Sequence, residues 1–559
     1  MGKSSSTRLA LFAAGIMLSS GRAQAQAPAA VSDAQRQLSA GHADSAVATL
    51  EAYYAATPQA TIGRLLLGNA YRQLGRLDQA LSAYAAVTTP RPARLQAWFN
   101  TAAIQTEQGN TDAAFETLTR LKASGSFDMD LVTGGEQFRP LAADRRFAGL
   151  GFRPADFERP FVEPVRVIHE WVGEAKGDQY SWIARGIGDV DGDRVTDIVT
   201  SAPTFGSGGA PTGPGKVYVY SGRSGKQLWT ATGQPGDNLG TGLEGAGDVD
   251  GDGVGDVIAG APGNDRAYVY SGRTGAILHT LVSPDSGVRF GQAAAGAGDQ
   301  NGDGRADLIV GAPGASAKGP GAGAAFVFSG RDGSLIVRLD GDSAGHAFGS
   351  IVAGDKWGRS TPVLVGAPGG GPGNRGRVHV FESANGKRKF TIDAGETGVA
   401  LGAMFTSIVG DVNGDRVPDV YAADFSDGGG GPGTGRVYVR SGRDGRELLT
   451  LSGEQPGDGF GIGSAEAGDV NGDGHDDLVV GAWQYGGAAQ SGGKVYVYSG
   501  KDGTVLREIT GRVPGETFGF DATGVGDVDG DGVVDLLLTS TWSNIKGFRT
   551  GRMFVISGR

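Results

Sequence analysis

The chain reads as a multidomain protein, all-α helical repeats followed by an all-β propeller of seven blades, and two periodicities predict it. The stretch Gly247–Pro262 (GDVDGDGVGDVIAGAP) returns seven times, its first Asp standing at Asp189, Asp248, Asp299, Asp355, Asp411, Asp469 and Asp527. The steps run from 51 to 59 residues, and a period of that size means stacked or radially arranged units. Ahead of them lies an Ala- and Leu-rich, nearly Gly-free stretch with a step of 34 residues. Glycine, 101 of 559 residues, gathers in the later repeats as turn punctuation rather than as a linker.

In chain order, residues 1–25 read as a signal peptide. Lys3 and Arg8 give a positive start, Leu9–Leu18 a short apolar core, and Ala23-Gln24-Ala25 or Ala25-Gln26-Ala27 a small-x-small cleavage site. Met1-Gly2-Lys3-Ser4-Ser5-Ser6 also fits a myristoylation pattern, but the apolar core behind it favours export, to the periplasm or the exterior. With no Cys there is neither a disulfide nor a thiolate metal site, so an exported chain needs another staple, and bound metal can serve. Beyond the N-terminus no run of 18 apolar residues occurs, so membrane insertion is not expected. The net charge of −11 becomes −14 once Lys3, Arg8 and Arg22 leave with the signal, which excludes nucleic acid as an expected partner.

Residues 31–125 carry the 34-residue step: Gly41, Gly75 and Gly109 share one position, and Ala46, Ala80 and Ala114 follow five residues later. Pro58 and Pro92 end the first two units; Leu67-Gly68, Tyr71, Ala80 and Tyr84 mark the second, and Trp98 opens the third. The pattern resembles the tetratricopeptide repeat, whose small residues let antiparallel helices pack closely, and it implies three helix pairs with a concave binding groove. Within residues 126–152, Phe138–Leu150 (FRPLAADRRFAGL) reads as a capping helix, and Pro-broken residues 153–164 as a linker.

Residues 165–559 follow as the propeller. The sixth unit shows four strand-like pieces, Glu447–Leu451, Gly461–Ala467, Leu478–Val480 and Lys494–Tyr498, and four short antiparallel strands in each of seven units is propeller arithmetic. The turn Ser499–Gly503 contains the Asp-Gly step that suits a hairpin. The chain stops after Phe554–Arg559, one strand short, and Val165–Val172 (VRVIHEWV) is expected to pair with Arg552–Ser557 and close the ring, hiding an open edge.

The repeated loop is a cation cage in its spacing. In the second copy Asp248, Asp250, Asp252 and Asp256 fall at positions 1, 3, 5 and 9, with the Val254 carbonyl available at position 7. Alternate carboxylates on a tight Gly-containing loop suit a hard, oxygen-seeking ion such as Ca²⁺, although the loop closes with Asp rather than the Glu of an EF-hand. Phe-Gly pairs precede several cages (Phe290-Gly291, Phe348-Gly349, Phe460-Gly461, Phe518-Gly519), and Gly-Ala-Pro follows others (Gly260–Pro262, Gly311–Pro313, Gly366–Pro368). These units resemble the FG-GAP repeats of the integrin α-subunit propeller and its bacterial relatives. That resemblance implies a cage in a hairpin loop of each blade that binds Ca²⁺. It assigns as ligands Asp189, Asp191, Asp193, Val195 and Asp197 in blade one, and Asp248, Asp250, Asp252, Val254 and Asp256 in blade two. Blade three offers Asp299, Asn301, Asp303, Arg305 and Asp307, and blade five Asp411, Asn413, Asp415, Val417 and Asp419. Blade six offers Asp469, Asn471, Asp473, His475 and Asp477, and blade seven Asp527, Asp529, Asp531, Val533 and Asp535. Up to six Ca²⁺ are thus expected, blade four being empty because Trp357 and Arg359 replace ligands after Asp355. Arg194 and Arg416 stand where the other cages have Gly, a position that favours positive φ.

The expected function is that of an exported, non-catalytic interaction or adhesion-type scaffold. The six His residues lie in different units without ligand spacing, no G-x-S-x-G occurs, and the carboxylate pairs are absorbed by the cages. The alternative is an exported enzyme built on the propeller, quinone-dehydrogenase-like or hydrolytic; Ser221–Thr230 resembles the Trp-ended turn of quinone-cofactor propellers, with Trp229 alone. On the face opposite the cages, Phe205, Phe425, Trp483, Tyr485 and Trp542 form an expected aromatic half-rim for a protein or glycan partner, with packing between blades as the competing reading.

Overall fold

A computed structural model describes residues 27–354, 362–383 and 386–559. The signal-peptide segment and the blade-four loop from Asp355 to Arg359 lie outside the described residues. Six helices open the chain: α1 (Ala29–Ser39), α2 (Ala43–Ala56), α3 (Arg64–Gln73), α4 (Leu77–Ala85), α5 (Arg91–Glu107) and α6 (Thr111–Ala123). They pair α1 with α2, α3 with α4 and α5 with α6. Gly41, Gly75 and Gly109 sit at the three turns with φ of +84°, +71° and +75°, and a side chain there would meet open space, so the conformation alone demands glycine. Ala46, Ala80 and Ala114 are fully buried where the paired helices touch. Gly68 has a different reason: a Cβ would stand 2.4 Å from the Tyr84 ring.

Two boundary readings are corrected. The expected capping helix in residues 126–152 is instead a one-turn helix (Asp130–Thr133) and two 3₁₀ turns (Glu136–Leu141, Phe147–Gly149), because Gly134-Gly135 and Pro140 interrupt the backbone ladder. Phe138 and Leu141 still seal the end of the helical core. The expected linker, residues 153–164, is a packed strap. Phe161 lies buried between Phe518 and Phe554, at 4.8 and 5.1 Å between ring centroids. Val162 N–H donates to the Thr510 carbonyl, and Glu163 accepts from Thr510 N–H and Oγ1.

Seven four-stranded antiparallel sheets follow. Blade one comprises Ala184–Gly186, Ile198–Ala202, Lys216–Tyr220 and Gln227–Thr232, and the next five blades repeat that order. The unit boundary read from sequence shifts by one strand: Glu447–Ser452 pairs with Arg436–Arg440 as the outer strand of blade five, and blade six ends with Val505–Thr510. Sequence periodicity carries no phase, so the hydrogen bonds set where each blade begins. In blade seven, Ala522–Gly524, Leu536–Ser540 and Arg552–Ile556 take Val167–Val172 as their outer strand, with Glu170 opposite Phe554 and Trp171 opposite Met553. Second and third strands are buried on both faces and rich in Val, Ile and Tyr, as sheets covered on both sides require.

A further tie between blades is invisible in the sequence. On four outer strands the residue opposite a third-strand Val reaches a carbonyl in the tight turn of the next blade. His169 Nε2 and the Gly222 oxygen are 2.8 Å apart, and Trp229 Nε1 donates to Gly272 O at 2.7 Å. His279 Nε2 approaches Gly330 O at 2.6 Å, and Arg507 Nη1 donates to Ser557 O at 2.7 Å. Trp229, the residue behind the quinone-enzyme alternative, is thereby a clasp between blades one and two. Its signal is a shared register rather than a shared residue type.

The helical domain rests on the propeller end opposite the cages, over blades six and seven. Arg91 Nη1 donates to Ser491 Oγ at 2.8 Å and Asn544 Nδ2 to the Gly125 carbonyl at 2.8 Å. Gly125 and Gly515 meet backbone to backbone; a Cβ on Gly125 would stand 2.0 Å from Pro514 O, so this contact needs glycine. Among the described residues no helix is long and apolar enough to cross a membrane.

Candidate metal cages and docking surfaces

Each cage links the inner strand of a blade to its second strand, so two paired strands fix both ends of a nine-residue loop. In blade one Asp189 Oδ1 accepts from the N–H of Gly192 and Asp193, and its Oδ2 from Arg194. Asp191 Oδ1 accepts from Asp193 N–H, Asp193 Oδ1 from Val195 N–H, and Asp197 Oδ2 from Val190 and Asp191 N–H. The loop thereby turns its carboxylates inward using its own amides. The last Asp also fastens the blade's other hairpin. Asp197, Asp256, Asp307, Asp419, Asp477 and Asp535 each accept from a turn glycine, Gly222, Gly272, Gly330, Gly442, Gly500 and Gly558, at 2.9 to 3.0 Å.

The donor set fits a hard divalent cation. In blades one, two and seven, oxygens of Asp189, Asp191 and Asp197, of Asp248, Asp250 and Asp256, and of Asp527, Asp529 and Asp535 lie within 4.8 Å of one another, the spacing that oxygens around one such ion adopt. Blades three and six keep the same amide scheme with Asn301 and Asn471 at position 3. Blade five differs: Asn413 turns its amide nitrogen onto Asp419, 3.0 Å from each oxygen, and leaves its own Oδ1 buried without a partner. Reversing that amide would present the orphaned oxygen to an ion. Arg194 and Arg416 hold φ of +70° and +65°, so the loop imposes its left-handed step on Arg where other cages use Gly.

Electrostatics separates the cage positions. Burial pushes the carboxyl of Asp197 up to about 6 and that of Asp256 to about 7, despite hydrogen bonds that favour the anion. Asp419 rises to about 6 for the same reason. The position-5 Asp is instead met from outside by the cation of the following turn. Arg223 reaches Asp193 at 3.3 Å, Arg273 Asp252 at 2.9 Å, Arg443 Asp415 at 3.0 Å and Arg559 Asp531 at 3.3 Å. The blade-seven cage meets a second cation as well, Arg166, on Asp529 and 3.7 Å from Asp531. Position-7 residues reach sideways: His475 Nδ1 lies 2.9 Å from the Val412 carbonyl of the neighbouring cage.

The opposite end of the propeller corrects the half-rim. Trp483 and Trp542 are 2 % and 8 % exposed and pack together, with ring centroids 5.0 Å apart, against Phe520. Phe205, Phe425 and Tyr485 are half-buried, Phe205 and Tyr485 lying under the ammonium groups of Lys216 and Lys494. Packing between blades claims Trp483 and Trp542, and the helical domain rests on the neighbouring loops at Ser491, Gly515 and Asn544.

Two cavities among the described residues bear on function. The axial one, about 330 Å³, is lined by the inner strands. On its wall Arg185 bonds Glu244 at 2.7 Å and also pairs with Asp521, so this charge cluster spans blades one, two and seven as a tie. A second cavity of about 610 Å³ runs between α4 and α6 with α5 as its floor. There Trp98 lies beneath two guanidinium groups, Arg120 at 4.1 Å and Arg94 at 5.5 Å, and neither makes an ion pair among the described residues. Thr101, Gln105 and Thr117 add polar lining.

Comparison with known proteins agrees with this architecture. The FG-GAP repeat model matches residues 186–220, 290–328 and 463–498, an FG-GAP-like repeat model matches 411–480, and a tetratricopeptide repeat model matches 31–94 and 65–128. The chain is 31% identical to integrin alpha-PS5 of Drosophila melanogaster over 173 residues, 28% of this chain and 17% of that protein. It is 34% identical to integrin alpha-5 of Xenopus laevis over 133 residues, 22% of this chain and 12% of that one. With integrin alpha-4 of Xenopus laevis it shares 28% over 256 residues, 41% of this chain and 23% of that one. The chain thus spans less than a quarter of the length of these relatives. It is a protein of tetratricopeptide repeats joined to a seven-bladed propeller of integrin-α-like FG-GAP repeats.

Proposed function

We propose that the protein is an exported, Ca²⁺-bearing, non-catalytic scaffold that holds a protein or glycan partner. The observation that carries this reading is the groove of about 610 Å³ in the helical repeats, where Trp98 offers an apolar face and Arg94 and Arg120 offer cations that make no ion pair among the described residues, with Glu116 also on the wall. A ring flanked by guanidinium groups that stand outside any ion pair among the described residues suits a ligand that presents both apolar and acidic groups. The cages serve the scaffold by stapling each blade's two hairpins through the position-9 Asp, a role that a Cys-free chain cannot give to disulfides. Partner capture by crosslinking, run in parallel on the wild type and on Trp98→Ala and Arg120→Ala, tests the groove. Loss of the same crosslinked species in both variants supports it; full retention overturns it. Counting bound ions in the purified protein tests the cages, with more than one Ca²⁺ per chain expected.

A further inference from the structure

The seam between the helical domain and the propeller gathers positive charge and donor groups without an anion. Arg91, at the start of α5, is held with Nη1 on Ser491 Oγ and Nη2 on the Ser124 carbonyl (2.9 Å) and Ser126 Oγ (2.7 Å), while its Nε is buried without a partner. From the propeller side, Arg549 lies over the Trp542 ring at 4.6 Å and the Phe548 ring at 4.9 Å. Its guanidinium makes no hydrogen bond or ion pair among the described residues, and the Trp542 indole N–H beneath it is also buried and unpartnered.

Asn544 joins the two arginines. Its Oδ1 accepts from Arg549 N–H at 2.9 Å, and its Nδ2 donates to Gly125 O, one residue from the carbonyl that Arg91 holds. Burial, with Arg91 adding to it, pushes the Arg549 guanidinium down to about 10. The acids in this region are committed elsewhere: Glu516 to Arg552 and Ser543, and Asp128 and Asp130 to Lys176. Cations gathered at a half-buried seam are costly unless a counter-charge sits among them. Guanidinium and indole N–H groups are donors only, so the missing element is an acceptor.

We propose that this seam is a binding site for a small doubly charged oxyanion of the sulfate or phosphate type, held between Arg91 and Arg549 and locking the helical domain onto the propeller. The test is thermal unfolding and Trp fluorescence of the whole Ca²⁺-loaded chain titrated with sodium sulfate, with sodium chloride at matched ionic strength as the reference. In the wild type, sulfate is expected to raise the unfolding midpoint saturably beyond the chloride reference and to change the fluorescence over the same concentrations. In Arg549→Gln the half-saturating concentration is expected to rise at least tenfold, and Arg549→Lys should fall between the two. Arg549 makes no side-chain hydrogen bond to lose, so Arg549→Gln should remain folded without sulfate. The proposal is overturned if sulfate does no more than chloride, or if Arg549→Gln and the wild type respond alike. A repeat with sodium acetate asks whether a single carboxylate suffices; an equal response to acetate overturns the dianion specificity.

Discussion

At the cage end of the propeller, six loops repeat one scheme of amide-to-carboxylate hydrogen bonds, whereas at the opposite end neighbouring blades present unlike loops. The cage scheme is closed within nine residues and one turn glycine, so it needs nothing from the rest of the fold and can be copied from blade to blade. The other end is shaped by contacts at long range. Trp483 and Trp542 fill the junction of blades six and seven, and Ser491, Asn544 and Gly515 receive the helical domain. The contrast teaches that repetition marks chemistry a loop performs alone, and variation marks surfaces built against another element.

The sharpest way to break that contrast is to remove the ions. On the proposed occupancy of several cages, chelation of the purified protein should lower its unfolding midpoint by roughly 10 °C or more, each bound ion adding its own stabilisation. An unchanged midpoint would reduce the cages to acidic turns. At the other end, Trp483→Ala should cost about 3–5 kcal/mol in denaturant unfolding, the penalty of emptying a buried aromatic site. Phe205→Ala, at a half-buried ring, should cost much less, and equal losses would contradict the burial difference between the two rings.

A third measurement uses pH on blade four, where Trp357 and Arg359 stand in the sequence at ligand positions of the cage. Burial holds His379, packed on Phe348, down to about 4 from its ordinary 6.5, with Arg388 and Arg377 adding to the depression and Asp342 and Asp393 opposing it. A depressed basic group gives stability that is complete above pH 6.5 and is lost as pH falls toward 4, by at most about 3 kcal/mol. His379→Phe should remove that step from the pH–stability curve. The smallest effect is expected at Arg194, whose φ of +70° Gly would adopt freely; Arg194→Gly should stabilise by about 1 kcal/mol, measured in Ca²⁺-loaded protein.

Much of the fold was legible because its signals are periodic. The turn glycines at 41, 75 and 109 and the alanines five residues later marked helix pairs, since φ and close packing each admit few residue types there. The Asp loops marked seven blades. What escaped was whatever depends on phase or on distant contact. Glu447–Ser452 carries no mark of the blade to which it belongs; its pairing with Arg436–Arg440 decides that. Residues 153–164 looked like a linker because prolines break local structure, yet Phe161 finds a site between Phe518 and Phe554 that no local signal announces. Likewise His169, Trp229, His279 and Arg507 share a register and a task across three residue types.

The sequence by itself determined the two repeat classes and the number of blades, because both follow from short-range spacing and backbone geometry. Only the tertiary structure decided that two tryptophans are core rather than rim, that Arg166 enters the blade-seven cage, and that Arg91 reaches Ser491 across the seam. Those outcomes depend on residues hundreds of positions apart converging on one place. Burial and charge at such a meeting are properties of the assembled surface and are written in neither segment alone.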